Sequence, residues 1–162
     1  MPRKPEQKKI PDAFDRAILR IIQQDNKTPQ RTISEEVNLS AAAVQRRIFA
    51  MESAGIIARN TAMVDPDRVA LGITAIVELH LRDERASTVD AAKAIFRESP
   101  EVQQCYYVTG GTSFILIIVT ADMRTYEALT RQLFATNELV ESYRTLIALD
   151  RVKTGSSIVI PD

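Results

Sequence analysis

The chain has 162 residues, with 21 Lys+Arg against 21 Asp+Glu, 45% hydrophobic residues, one cysteine and one histidine. That length admits one ordinary domain or two small ones, and the composition marks globular material rather than disorder. No apolar run approaches the about 18 residues a membrane helix needs, the basic start MPRKPEQKK lacks the apolar segment of a secretory signal, and the single Cys105 excludes an internal disulfide framework, which together point to the cytoplasm.

Charge is unevenly spread. Residues 1–60 carry 11 Lys+Arg and 7 Asp+Glu, a net of +4, and residues 61–162 carry 10 and 14, a net of −4. A basic head on an acidic body suits a protein whose first part meets nucleic acid.

Residues 1–11 read as a flexible basic arm with almost nothing to bury. Asp12 can cap a helix running to about Gln24, with Phe14, Ala17, Ile18, Ile21 and Ile22 as its core stripe. Asp25 to Pro29 ends it. Residues 32–51 read as two short helices joined by a tight turn. Thr32 to Val37 is the first, Asn38-Leu39 turns the chain, and Ser40 caps the second. On that second helix Val44, Ile48 and Met51 are apolar at helical spacing. Gly55 is the helix stop. Ile56 to Val64 reads as extended and Asp65-Pro66-Asp67 as a turn. A helix-turn-helix domain over 12–60 is thus followed by a hinge strand and linker over 61–72.

From Ile73 the rhythm changes. Ile73, Ala75, Val77, Leu79 and Leu81 alternate along a strand with one buried face. Residues 87–98 are helical, with Val89, Ala92, Ile95 and Phe96 as the stripe. Val102 to Thr109 is a strand, Gly110-Gly111 permits a tight turn, and the apolar run from Phe114 to Ala121 suits a strand buried on both faces. Asp122 caps a helix to about Ala135. Val140 to Val152 is a long strand and Ser156 to Ile160 a short last one. The order β-α-β-β-α-β plus a strand gives an α+β class: an antiparallel, ferredoxin-like αβ sandwich over 73–162 behind the helix-turn-helix head. Two helices cover one sheet face, so the other is expected to be buried by a second chain.

Ala42, Ala43, Gln45, Arg46 and Arg47 fall largely outside the apolar stripe of the second helix of the pair. With Ser40 they form the candidate DNA-contacting set. Alanines let the backbone approach closely, while Gln and Arg reach base edges or phosphates. An ordinary helical hairpin with a solvated charged face has the same pattern, and Arg47 has an internal alternative in Glu52. Catalytic chemistry is absent from the pattern. His80 has no ligand or base partner in motif spacing, and no Lys-Ser/Thr follows Gly110-Gly111, so it is no phosphate loop. Glu35-Glu36 and Asp83-Glu84 read as solvated surface charges.

Five pieces, in order, resemble the Lrp/AsnC (feast/famine) transcriptional regulators over about residues 12–160. They are FDRAILRIIQQD (14–25), TISEEVNLSAAAVQRRIFAMESAGII (32–57), NTAMVDPDRVALG (60–72), VQQCYYVTGGTSFIL (102–116) and RTLIALDRVK (144–153). The resemblance implies a winged-type helix-turn-helix joined by a hinge to an ACT-like ligand-sensing (RAM) domain. It implies double-stranded DNA as partner, a homodimer through the sheets, an octamer of four dimers, and no cofactor beyond an amino-acid effector. By resemblance the loop Thr109, Gly110, Gly111, Thr112, Ser113 borders the effector pocket, its backbone N–H groups holding a carboxylate. The chain departs from the family where Ser113 stands in place of the usual Asp and where Ala41 to Ala43 replace Pro, Ser or Thr. The ligand's ammonium wants an acidic partner that Ser113 does not supply, so either another carboxylate substitutes or affinity for free amino acids is low. An architectural DNA-wrapping protein and a metabolite-binding module are the rival readings.

Overall fold

The structure, a computed structural model, describes residues 10–162. The basic arm expected over 1–11 lies, apart from Ile10 and Pro11, outside the described residues. The chain divides into two compact units. One runs through Ala62 and takes in Thr154–Asp162, and the other is Met63–Lys153.

Three helices make the first unit. Helix α1 (Ala13–Ile22) opens on a capping box: Asp12 accepts from the Asp15 N–H at 2.8 Å and Asp15 accepts from the Asp12 N–H at 3.3 Å. Two otherwise orphaned donors are satisfied this way. Helix α2 (Gln30–Val37) starts two residues before the expected Thr32, because Pro29 brings the chain in extended and the helix winds up directly behind it. It ends on Asn38, whose φ of 54° is left-handed, a conformation that asparagine tolerates better than most residues. Ser40 caps helix α3 (Ala41–Ser53), its Oγ accepting from the Ala43 N–H at 3.2 Å. Gly55, at φ 69°, is the left-handed stop. Ile18, Ile33, Val37, Val44 and Met51 form the buried core of the unit. The 56–64 run, expected as extended, pairs with no other strand among the described residues.

The second unit follows a 3₁₀ turn at Pro66–Val69, which Asp65 caps by accepting from the Asp67 N–H. Its elements are β1 (Ile73–Leu81), α4 (Ala86–Glu98), β2 (Val102–Tyr107), β3 (Phe114–Thr120), α5 (Met123–Thr130) and β4 (Val140–Ile147). A π-helical turn at Arg131–Ala135 prolongs α5. The sheet order is β2-β3-β1-β4, with every neighbouring pair antiparallel. Cross-strand partners share a face. Ala75↔Ile118, Val77↔Leu116 and Leu79↔Phe114 therefore lie together on one side. They are buried in one core with Val89, Ala92 and Phe96 of α4 and Tyr126 and Leu129 of α5. Phe96 meets Phe114 and Phe134 edge to face, with centroids 5.3 and 6.2 Å apart.

The opposite side of the sheet is open in the single chain. Ile76 faces Ile117 across the β1–β3 pair and Leu146 across the β1–β4 pair, and Glu78 binds Arg144 through two bonds of 2.8 and 2.9 Å. Strand β3 is thus buried on one face and only half-buried on the other, not buried on both as its apolar run suggests. The last expected strands also differ. Strand β4 stops at Ile147, opposite Ala75, and one further bond, from the Ala148 N–H to the Thr74 carbonyl at 2.9 Å, ends the pairing. Ser156 to Ile160 is not a strand. It lies on α1 in the first unit, where Gln23 donates to the Ile158 carbonyl at 2.9 Å and accepts from the Ile158 N–H at 3.2 Å. Arg20 donates to the carbonyls of Ile160 and Pro161 and to the Asp162 carboxylate. No helix among the described residues is long and apolar enough to cross a membrane.

Candidate DNA-contacting face and effector loop

On α3 the buried Val44 and Met51 fix which side faces outward. Ala42, Gln45, Arg46 and Phe49 are exposed and repeat at i, i+3, i+4, i+7, so they form one outward stripe. Its N-terminal end is small and neutral, its middle is polar and cationic, and its far end is aromatic. Such a stripe can enter a groove of duplex DNA without a backbone clash, donate to base edges and phosphates, and present an apolar edge to a thymine methyl. Ala43 is half-buried beside it, and Ser40 holds the helix end through its cap. Phe49, 69% exposed, lies outside the set expected from the sequence. Its spacing of three residues from Arg46 and seven from Ala42 is the signal that places it on the stripe.

Arg47 departs from expectation. Its Nη1 donates to Asp15 at 2.7 Å and to Asp12 at 2.8 Å, and its guanidinium lies over the Phe14 ring, 5.4 Å from the centroid. Asp15 is only 2% exposed. The two arginines therefore do not point the same way: Arg46 points out, and Arg47 ties α3 to the capping box of α1. Glu52, the internal partner that the sequence offers, instead accepts from the Asn60 amide at 2.7 Å. Backbone donation from Asp15, and then the Arg47 guanidinium, hold the Asp12 carboxyl below the ordinary aspartate range. The same pairing, Asp15 first, raises the Arg47 guanidinium.

The second site is the loop between β2 and β3. Gly110 and Gly111 have φ of 105° and 95°, a region where a side chain is strained. Open space surrounds both glycines: a Cβ built on either meets no atom within 4 Å. The N–H groups of Thr109, Gly110, Gly111 and Thr112 donate to no acceptor among the described residues. Four backbone donors beside two glycines can receive an anion.

Ser113, expected to line the pocket, is turned inward and 5% exposed. Its N–H donates to the Leu79 carbonyl and its Oγ accepts from the Leu81 N–H, both at 2.9 Å. Its hydroxyl proton goes to Oε1 of Glu84. Glu84 also accepts from the Tyr107 hydroxyl at 2.9 Å, which pushes the tyrosine above its ordinary value. Neither Asp83 nor Glu84 is the merely solvated charge read from the sequence. Asp83 accepts from the Thr88 hydroxyl at 2.7 Å and the Arg85 N–H at 3.0 Å, and these bonds lower its carboxyl, Thr88 contributing most.

Comparisons with known proteins cover both units. A family model described as the Lrp/AsnC ligand binding domain matches residues 74–158, and one described as a winged helix-turn-helix DNA-binding domain matches residues 11–58. An uncharacterized HTH-type transcriptional regulator of Sinorhizobium fredii is 37% identical over 149 residues, covering 92% of this chain and 88% of its own. The crystal structure of an AsnC family transcriptional regulator from Agrobacterium tumefaciens matches with a TM-score of 0.85 at 28% identity, over 91% of this chain and 96% of that one. A transcriptional regulator from Neisseria meningitidis, solved as a complex with L-Met, matches at 0.82 and 27% identity with the same coverage.

Proposed function

The chain belongs to the Lrp/AsnC family of DNA-binding transcriptional regulators, and from that we propose that a small effector, an amino acid, modulates its binding to specific DNA sequences. The outward stripe of α3 carries the DNA half of this reading. Arg46 and Gln45 reach phosphates or bases, Ala42 and Ala43 allow close approach, Ser40 sets the helix end, and Arg47 acts indirectly by fixing the angle of α3 on α1.

The effector half draws on the four free donors of 109–112 and on the L-Met complex of the Neisseria regulator. The open sheet face, with Ile76, Ile117 and Leu146 in a row, favours a homodimer through the sheets. A dimer would set two α3 helices about 34 Å apart, one turn of B-DNA, or a multiple of that. Dimers assembling into an octamer of four would place effector loops at their junctions, and an effector that fits one assembly better would shift the population of DNA contacts.

The test is to select genomic fragments that the protein retains and then measure half-saturation on them by mobility shift, with and without each proteinogenic amino acid. The expected result is discrete retained sites and, for at least one amino acid, a shift of several fold. Equal affinity for all fragments, unmoved by any amino acid, would make the protein an architectural DNA-wrapping member of the family instead.

A further inference from the structure

We propose that Glu84, not Ser113, is the counter-charge for the ammonium group of an amino-acid effector held at the 109–113 loop. The proposal rests on the effector reading above and assigns the other half of the ligand.

Ser113 cannot take the ammonium. Its one hydroxyl proton is committed to Glu84, one lone pair is used by the Leu81 N–H, and the side chain is buried. Glu84 is exposed and has room to accept about four hydrogen bonds, of which the structure uses two. Those two come from opposite stems of the loop. Tyr107, the last residue of β2, bonds Oε2, and Ser113, just before β3, bonds Oε1.

One donor on each oxygen fixes the carboxylate plane. The tyrosine is itself held, its ring against Phe114 at 5.2 Å and under the Lys93 ammonium at 4.8 Å. Among the described residues no cationic nitrogen lies within 4.0 Å of Glu84. Its neighbours are otherwise engaged, Arg85 with Asp83 at 3.9 Å and Lys93 with Asp90 at 3.7 Å. An oriented carboxylate with no cationic partner among the described residues thus bonds both flanks of a loop that carries four unused backbone donors and open space over Gly110 and Gly111. A cation acceptor next to an anion cradle matches the α-ammonium and α-carboxylate of a free amino acid. A neutral metabolite or a simple carboxylic acid would leave one half unanswered.

The experiment is calorimetric titration of the full chain with each of the twenty L-amino acids, and then with the des-amino analogue of the tightest binder, which keeps its side chain and carboxylate. Native protein and Glu84→Gln are compared. Glutamine keeps the shape and can still bond both hydroxyls, and circular dichroism melts check its fold. The native protein should bind at least one amino acid and bind its des-amino analogue at least about tenfold more weakly, as removal of a charge-assisted bond implies. Glu84→Gln should weaken the amino acid by a similar factor and leave the analogue unchanged. If Glu84→Gln binds the amino acid less than tenfold more weakly, or loses the analogue to the same extent, the assignment to Glu84 is overturned while the effector reading stands. If no amino acid binds the native protein, the effector reading falls and the assignment with it.

Discussion

Replacing Arg47 with alanine removes what is, among the described residues, the only side-chain partner of the buried Asp15 carboxylate. Asp15 would keep a single 3.3 Å bond, from the Asp12 N–H. Stranding a fully buried charge costs about 3–5 kcal/mol. The Arg47 side chain is 27% exposed, so water can reach the gap, and about 2 kcal/mol is the better figure. Asp12 adds little, because its carboxylate is half in solvent. That is a factor of about 30 in the folding equilibrium of the first unit, a large share of what a small domain has.

Urea denaturation of the full chain, followed by far-ultraviolet circular dichroism, should lower the midpoint of that unit by about 1–2 M. The pH dependence has a defined sign. Asp12 titrates below its unfolded value, so its contribution is complete above the ordinary aspartate range and is lost as pH falls through the folded value. The Arg47→Ala variant keeps the Asp15 backbone share and loses the guanidinium share, so its acid loss is shallower. An unchanged midpoint, combined with a salt dependence of DNA binding flattened by about one unit, would refute this account and make Arg47 a phosphate ligand.

Arg46→Ala should leave the urea midpoint in place and flatten the slope of log affinity against log salt by about one unit, the share of a single neutralised phosphate, read by fluorescence anisotropy at several salt concentrations. Phe49→Ala should weaken a selected operator by about 1 kcal/mol, within the range for reading a base edge, while non-specific DNA is bound as before. Equal weakening on both DNAs would assign Phe49 to packing instead. Sedimentation should give at least twice the 18.1 kDa chain mass for the native protein. Ile117→Lys, placed on the open sheet face, should yield a folded monomer; an unfolded variant would mean that the residue serves the core of its own chain.

Local chemistry is what can be read directly from the sequence. Asp12, Ser40 and Gly55 act on donors or dihedrals within a few residues, so their roles follow from type and position alone. The period-two alternation of β1 and, in the stripe of α4, Val89, Ala92 and Phe96 match the structure because they pack against an ordinary core, whereas Ile95 of that stripe is exposed. Partnership at a distance does not show. Arg46 and Arg47 are the same residue type one step apart, about 100° around the helix. Only the presence of Asp15, 32 residues earlier, separates an outward-pointing cation from an internal tie. Ser113 reads as a loop residue because its partner Leu81 is 32 residues away, and Glu84 reads as idle because its hydroxyl donors are 23 and 29 residues downstream. Ser156 to Ile160 has the apolar character of a strand, but the groups it meets belong to no sheet; its polar partners are Gln23 and the Arg20 guanidinium of α1 and its cap.

The docking of residues 154–162 on α1 also bears on the order in which the molecule can be made. The second unit is topologically an insertion: the chain leaves the first unit after Ala62 and rejoins it at Thr154. During synthesis at about 5–20 residues per second, three helices and their core emerge long before their last segment does. The nascent head must therefore wait through 91 residues of intervening domain, Met63–Lys153, with Arg20 and Gln23 still turned to water. A ribosome stalled before Thr154 would display a head that lacks its clasp, and a bulky fusion placed after Asp162 would be joined directly to the segment that docks on α1.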